Sequence, residues 1–321
     1  MIRKTLQSSC HAIIYCGLAV LIAACDQPNA EFQESSSTNN ATAQLNNSTV
    51  VSYTDFNNKT ITMDRPAQRI VAMAPHIVEN LYTIGAGDKI VGVVNHSDYP
   101  EEAKSLPMVG GYKKVDFERI VALRPDLIVA WQSGNSASNI EKLRELGFTV
   151  IIDQPDTLDD VAKSLRMLGA ATGLERVANL KAEEFIEQLK QLKQDNISKR
   201  KITTFYQVWN EPLISINGKH IIADALEVCG GVNVFHNEAA TAPRTNIEAV
   251  IAKNPEAIIA SGMGTARPEW LDDWKQWRTI RAVSHDNLFF VNPDHLQRHT
   301  VRQLLAIESI CRQFDQARNR S

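Results

Sequence analysis

The side chains best suited to chemistry in this chain are histidines and carboxylates near expected helix starts, and large aromatics beside turn-forming Gly and Pro. His295 and His299 stand four apart on an expected helix, a spacing that can chelate zinc, but no Glu follows His295 to complete a zinc-protease pattern. His76 follows a strand within Pro75-His-Ile-Val-Glu79, and a zinc or manganese site would need three or four such ligands to converge. We therefore expect no metal site, with His76 as a cleft contact or a cap. Signatures of catalysis are missing as well. There is no Gly-x-Ser-x-Gly and no phosphate loop, and Gly85-Ala-Gly87 lacks the third glycine of a dinucleotide fingerprint and ends a helix. Asp153 and Asp156 fall close together in an expected loop, a poor arrangement for an acid/base pair. An exported α/β enzyme is the competing class, and the expectation is that the chain is not an enzyme.

The elements that must position these residues come in duplicate. Asp116-Phe-Glu-Arg-Ile-Val-Ala-Leu-Arg-Pro-Asp-Leu-Ile-Val-Ala130 and Asn246-Ile-Glu-Ala-Val-Ile-Ala-Lys-Asn-Pro-Glu-Ala-Ile-Ile-Ala260 share one pattern. Each has a capping residue, an acid in the first helical turn, a short apolar helix, a Pro and a β-branched run, which predicts a helix followed by a strand. The repeat extends downstream, where Val150–Leu158 matches Leu288–Leu296 as strand, Pro-Asp turn and helix start. Upstream, helices ending at Gly85-Ala-Gly87 and Cys229-Gly-Gly231 precede short strands at Ile90–Val94 and Val232–Phe235. Two similar α/β lobes are expected, and a ligand should lie where their strands end and face each other. That brings Pro75-His76, Asp98-Tyr99, Gly111-Tyr112 and Trp131 from the first lobe toward Tyr206–Glu211, Gly262–Thr265 and Asp294–Arg298 from the second.

Between the lobes runs one uninterrupted helical pattern, Glu175–Asn196, with Val177, Leu180, Phe185, Leu189 and Leu192 assigned to a single face. It must cross from one lobe to the other, and a helix makes a stiff connector, so small cleft closure is expected. The expected boundaries are residues 50–172 for the first lobe, 173–198 for the connector and 199–321 for the second lobe.

The front end sets the compartment. Arg3 and Lys4 precede an apolar run from Ala12 to Ala24, and Leu21-Ile-Ala-Ala-Cys25 has the form of a bacterial lipoprotein cleavage site. Residues 1–24 are thus expected to be a signal peptide and Cys25 the lipidated first residue of the mature protein; an ordinary cleaved secretory signal is the alternative. Residues 25–49, rich in Asn, Ser, Thr, Gln and Ala, are expected to form a disordered tether. A net charge of −3 without a long basic stretch argues against nucleic acid as a partner. With Cys10 and Cys16 in the signal and Cys25 as the anchor, Cys229 and Cys311 remain and should pair in an oxidising compartment. Two buried free thiols are the alternative.

At this point the residues carry a resemblance. From about Arg69 to the C-terminus the chain resembles the bacterial periplasmic substrate-binding proteins of ABC importers that have a helical backbone between lobes, and within them the cobalamin-binding branch. The most specific stretches are Ser97-Asp-Tyr-Pro100, Glu118-Arg-Ile-Val-Ala-Leu-Arg-Pro-Asp-Leu127, Ala130-Trp-Gln-Ser-Gly-Asn135 and Leu226-Glu-Val-Cys-Gly-Gly231. The resemblance implies two Rossmann-like lobes joined by one long helix, with corrinoid cargo in the cleft and no cofactor of the protein's own. It implies ligand contacts at Tyr99, Tyr112 and Trp131 in the first lobe and Asp294 and Arg298 in the second, with Trp209 as a further aromatic wall. It also implies that Glu118 and Glu248 dock onto a two-fold symmetric permease dimer, the protein being a monomer held at the inner membrane in the periplasm. The alternative role of the two glutamates is to stabilise their own helices through the dipole. Two departures bear on the cargo: Thr241-Ala-Pro-Arg244 lacks the tryptophan of the cobalamin binders, and His295-Leu296 replaces two aromatics. Arg244, His295 and His299 could instead favour haem or an iron chelate.

Overall fold

The computed structural model describes residues 50–111, 114–262 and 264–320. The expected signal peptide, Cys25, the tether and Tyr112 lie outside the described residues. In the first lobe a hairpin of β1 (Val51–Thr54) and β2 (Thr60–Met63) leads to β3 (Ile70–Ala72), α1 (Pro75–Thr83), β4 (Ile90–Val93), α2 (Phe117–Leu123), β5 (Leu127–Trp131), α3 (Ala137–Glu145), β6 (Val150–Asp153) and α4 (Leu158–Thr172). After α5 (Glu175–Asn196), the second lobe holds β7 (Ile202–Gln207), a small hairpin of β8 (Trp209–Asn210) and β9 (Leu213–Ile214), α6 (Ile221–Val228), β10 (Gly231–Asn233), α7 (Ile247–Lys253), β11 (Ala257–Ala260), α8 (Arg281–Ser284), β12 (Leu288–Phe290), α9 (Pro293–Leu296) and α10 (Gln303–Arg320). Each lobe is built on a parallel four-stranded sheet, β4-β3-β5-β6 in the first and β10-β7-β11-β12 in the second. Counted from the first strand of each sheet, both orders read second, first, third, fourth.

The internal repeat reappears as matching geometry. Asp116 caps α2 by accepting from the Arg119 N–H at 2.9 Å, and Asn246 caps α7 by accepting from the Ala249 N–H at 2.8 Å. Both helices leave through a left-handed residue, Arg124 at φ 48° and Asn254 at φ 45°, and Pro125 and Pro255 then prevent continuation. The strand of the second lobe expected at Val232–Phe235 begins one residue earlier and ends at Asn233.

The long helix spans the expected residues, but its buried face differs from the expected one. Ala178, Ala182, Phe185, Leu189 and Asn196 are buried, whereas Leu180 is 52% exposed. The cause is close packing: α5 folds back along α4 after a left-handed turn at Gly173, and a Cβ on Gly169 would collide with that of Ala178. Small residues set this seam, so the larger Leu180 is turned outward. The same helix packs against α6 and α10 of the second lobe. A single apolar core runs from Ile70 and Leu81 through Phe185 to Tyr206 and Phe314. Two smaller clusters fill the other face of each sheet, around Ile120 and Ile128 in the first lobe and Val250 and Ile258 in the second. The Cys229–Cys311 disulfide joins the end of α6 to α10 across a sequence separation of 82. Among the described residues, no helix is long and apolar enough to cross a membrane.

Candidate functional site

Trp131 ends β5 and stands at the junction of the lobes. Its backbone N–H donates to Asn135 Oδ1 at 2.8 Å, and the Asn135 amide donates to the Met73 carbonyl at 3.0 Å, tying the turn to β3. Gly134 lies where any Cβ would strike the indole, which lets the ring fold over its own turn. The indole meets His76 edge-on at 5.3 Å between ring centres and His299 at 5.7 Å, and the two imidazoles lie 5.2 Å apart. The cluster thus joins two residues of the first lobe to one of the second. His76 Nε2 is 3.3 Å from Asp153 Oδ2, but the groups are not aligned for a hydrogen bond.

Next to this stack lies an interlobe cavity of about 480 Å³, lined by Trp131, Gln154, Tyr206, His220, Thr241 and His299 among others. A second cavity, of about 600 Å³, opens on the first lobe and shares Trp131 as a wall, with Pro75, Asn95 and Gly111 around it. Polar atoms without a hydrogen bond among the described residues gather at this junction: both Asp153 carboxylate oxygens, His76 Nε2, Trp131 Nε1 and His299 Nδ1. Buried polar groups in folded proteins are nearly always paired, directly or through water, so these atoms are available to water or to a ligand. Burial sets the ionisation of two residues that line the interlobe cavity. It holds His299 well below the usual histidine range, with His76 and His220 adding to the effect, and it pushes Tyr206 up to about 12. Burial also lowers His220, against an opposing pull from Asp156.

Beside the cavity the lobes are clasped by charge. Arg298 reaches Glu79 at 2.8 Å and Asp98 at 2.8 Å on the first lobe, and Asp294 at 2.9 Å on its own. Arg302 adds a 3.1 Å contact to Glu79 and lies 3.8 Å over the Tyr99 ring, a cation–π arrangement. Burial opposes ionisation of Asp98, but the Arg298 guanidinium outweighs it and holds the carboxyl below the usual range.

The expected site residues therefore divide. His76 and Trp131 meet His299 at the junction, while Tyr99, Asp294 and Arg298 belong to the clasp. Trp209 sits on the β8–β9 hairpin, 36% exposed, with its indole N–H donating to the Glu211 carbonyl at 2.9 Å, and it does not line the interlobe cavity. Thr241 and Ala242, the stretch without the tryptophan, do line it. His295 and His299 do not share a helix, because α9 stops at Leu296, so a chelating pair on one face is ruled out. Asp153 is not in a loop; it ends β6 and is fully buried. Among the described residues no three His, Cys, Asp or Glu side chains converge as metal ligands. Arg302 and His220 escaped the sequence reading, although Arg302 follows Arg298 by four residues and His220 precedes an apolar helix in a capping position.

Glu118 and Glu248 stand exposed in the first turns of α2 and α7, without an ion pair among the described residues. Glu248 also borders a cavity of about 450 Å³ walled by Trp270, Trp274 and Trp277.

Two like parallel α/β lobes, bridged by a packed helix and facing each other across a cavity, define a bilobed solute-binding protein. The chain belongs to the periplasmic binding protein family, whose model matches residues 70–295. This is a family of binding proteins, not of enzymes. Its relatives include the vitamin B12-binding protein of Vibrio campbellii, 36% identical over 255 residues, which covers 79% of this chain and 92% of that protein. The vitamin B12-binding protein of Yersinia pestis is 30% identical over 248 residues, 77% of this chain and 86% of the relative. Among solved structures, the vitamin B12 binding protein BtuF of Vibrio cholerae matches with a TM-score of 0.73 at 35% identity, covering 79% of this chain and 98% of that one. The resemblance to the cobalamin-binding branch and the two-lobed α/β fold expected from the repeat are both borne out.

Proposed function

We propose that this protein captures cobalamin or a related corrinoid between its lobes and delivers it to the permease of an ABC importer. The observation that carries the cargo is similarity to vitamin B12-binding proteins over nearly their whole length. The site chemistry supports it: an indole wall at Trp131 with polar groups around it suits a large, flat, partly apolar ring system. Small-molecule pockets reach about 1,000 Å³, and a corrinoid is large among small ligands. The interlobe cavity of about 480 Å³ therefore has to widen as the Arg298 clasp yields. In this account the protein is exported, held at the periplasmic face of the inner membrane by a lipid on Cys25, and works as a monomer. Delivery is assigned to Glu118 and Glu248, one from each lobe, whose repeated position fits two equivalent subunits.

A second reading, haem or a ferric siderophore as cargo, is favoured by one observation: Thr241 and Ala242 line the cavity where the resemblance called for an aromatic. Equilibrium dialysis of the protein against cyanocobalamin, cobinamide, haemin and a ferric hydroxamate separates the two. Retention of the corrinoids alone is expected. Retention of haemin or the iron chelate alone would keep the class of protein and overturn the cargo.

A further inference from the structure

Among the described residues, His299 is the imidazole of the lobe junction that both lines the interlobe cavity and has no hydrogen bond to either ring nitrogen. Its backbone is held, since the His299 carbonyl accepts from Asn80 Nδ2 at 3.1 Å. The residue is 6% exposed and its ring is stacked by His76 and Trp131, yet neither ring nitrogen has a hydrogen-bond partner among the described residues. A buried imidazole ordinarily commits at least one nitrogen to a neighbour, which fixes its tautomer. His220 does so: its Nδ1 accepts from the Ile222 N–H at 3.2 Å, which leaves its proton on Nε2. His76 faces the Asp153 carboxylate and does not line the interlobe cavity. His299 does line it, and burial keeps the ring neutral, with a lone pair free. Stacking alone would account for an aromatic ring here, but a Phe would serve that purpose without leaving the buried Nδ1 unpaired.

We propose that His299 is a ligand to the metal of the cargo, its imidazole nitrogen occupying an axial position on the cobalt of a bound corrinoid. The inference rests on the corrinoid reading above. The step is a ligand exchange: the bond from cobalt to an axial water breaks, a cobalt–nitrogen bond forms, the water leaves and no electron is transferred. Imidazole suits mid-series transition metals, and the neutral state required for coordination is the one that burial enforces. The exchange also sets a preference. Corrinoids with a labile axial water gain the bond, whereas cyanocobalamin, with both axial positions filled, does not.

Visible absorption of the full chain with diaquacobinamide tests this. The wild-type complex is expected to show corrin bands shifted from the aqua form to those of an imidazole adduct. His299→Gln, and His299→Phe, which keeps the ring stack, should lose that shift and bind diaquacobinamide about tenfold more weakly. Circular dichroism reports that both variants fold, and the ratio of diaquacobinamide to cyanocobalamin affinity, which cancels any change in packing against the cavity wall, is expected to fall about tenfold. A wild-type complex that keeps the aqua spectrum overturns the assignment, as does a shift that survives in both variants or is lost in His220→Ala instead. Failure of every corrinoid to bind would remove the cargo reading itself, a result distinct from binding without a shift.

Discussion

The histidines at the junction carry a consequence for stability. His299 and His220 bind protons less readily in the folded protein than in the unfolded chain, where histidine titrates near about 6.5. The unfolded state therefore takes up more protons below that pH, so stability is complete above it and falls as the medium is acidified. Urea unfolding at pH 7.5 and 5.5 should show this loss, and His299→Gln should reduce it; an equal loss in the variant would locate the effect elsewhere. The Asp98 carboxyl acts in a different window, because its lowered pKa keeps the clasp intact until the pH drops below about 4. At this scale the sequence was partly legible. Trp131 could be found because it closes a β-branched run beside a Gly turn, and His76 because it follows a strand. The clasp could not, since Arg298 and Glu79 are 219 residues apart and nothing local to either signals the other.

At the scale of elements, the repeated helix-to-strand unit was the clearest signal in the chain. Its cap, acid and Pro are local features that act within a few residues, and local rules predict them well. Replacing Asn246 with Ala removes the acceptor for the Ala249 N–H and should cost about 1 kcal/mol in chemical denaturation. Changing Glu118 and Glu248 together to Lys should leave corrinoid affinity intact and abolish capture by the detergent-solubilised permease. A complex that survives both reversals would return the two glutamates to stabilising their own helices. The face of α5 was misread because it is selected by a neighbour: Gly169 admits Ala178, and only tertiary packing makes that small-residue seam the buried one. The His295–His299 pair was misread for a related reason, since α9 ends before the second histidine can join it.

At the scale of the molecule, a shared apolar core, a helix packed on both lobes and a charged clasp resist large separation of the lobes. A helical connector is stiff, and small closure on binding is what such a connector predicts. The Cys229–Cys311 bond ties the last helix into the second lobe, and its loop length implies about 4 kcal/mol of stability. Replacing both cysteines with Ala should lower the denaturation midpoint while leaving cargo binding close to unchanged; a binding defect equal to the stability loss would link the bond to the cleft. The proposed function requires a corrinoid to be held against Trp131 between the lobes. Isothermal titration of cyanocobalamin into the wild type and into Trp131→Ala tests it most directly. One-to-one binding that weakens by roughly 2 kcal/mol or more in the variant, as for a buried aromatic anchor, is the predicted result. Equal affinity in the two proteins, or no binding to the wild type, would contradict it.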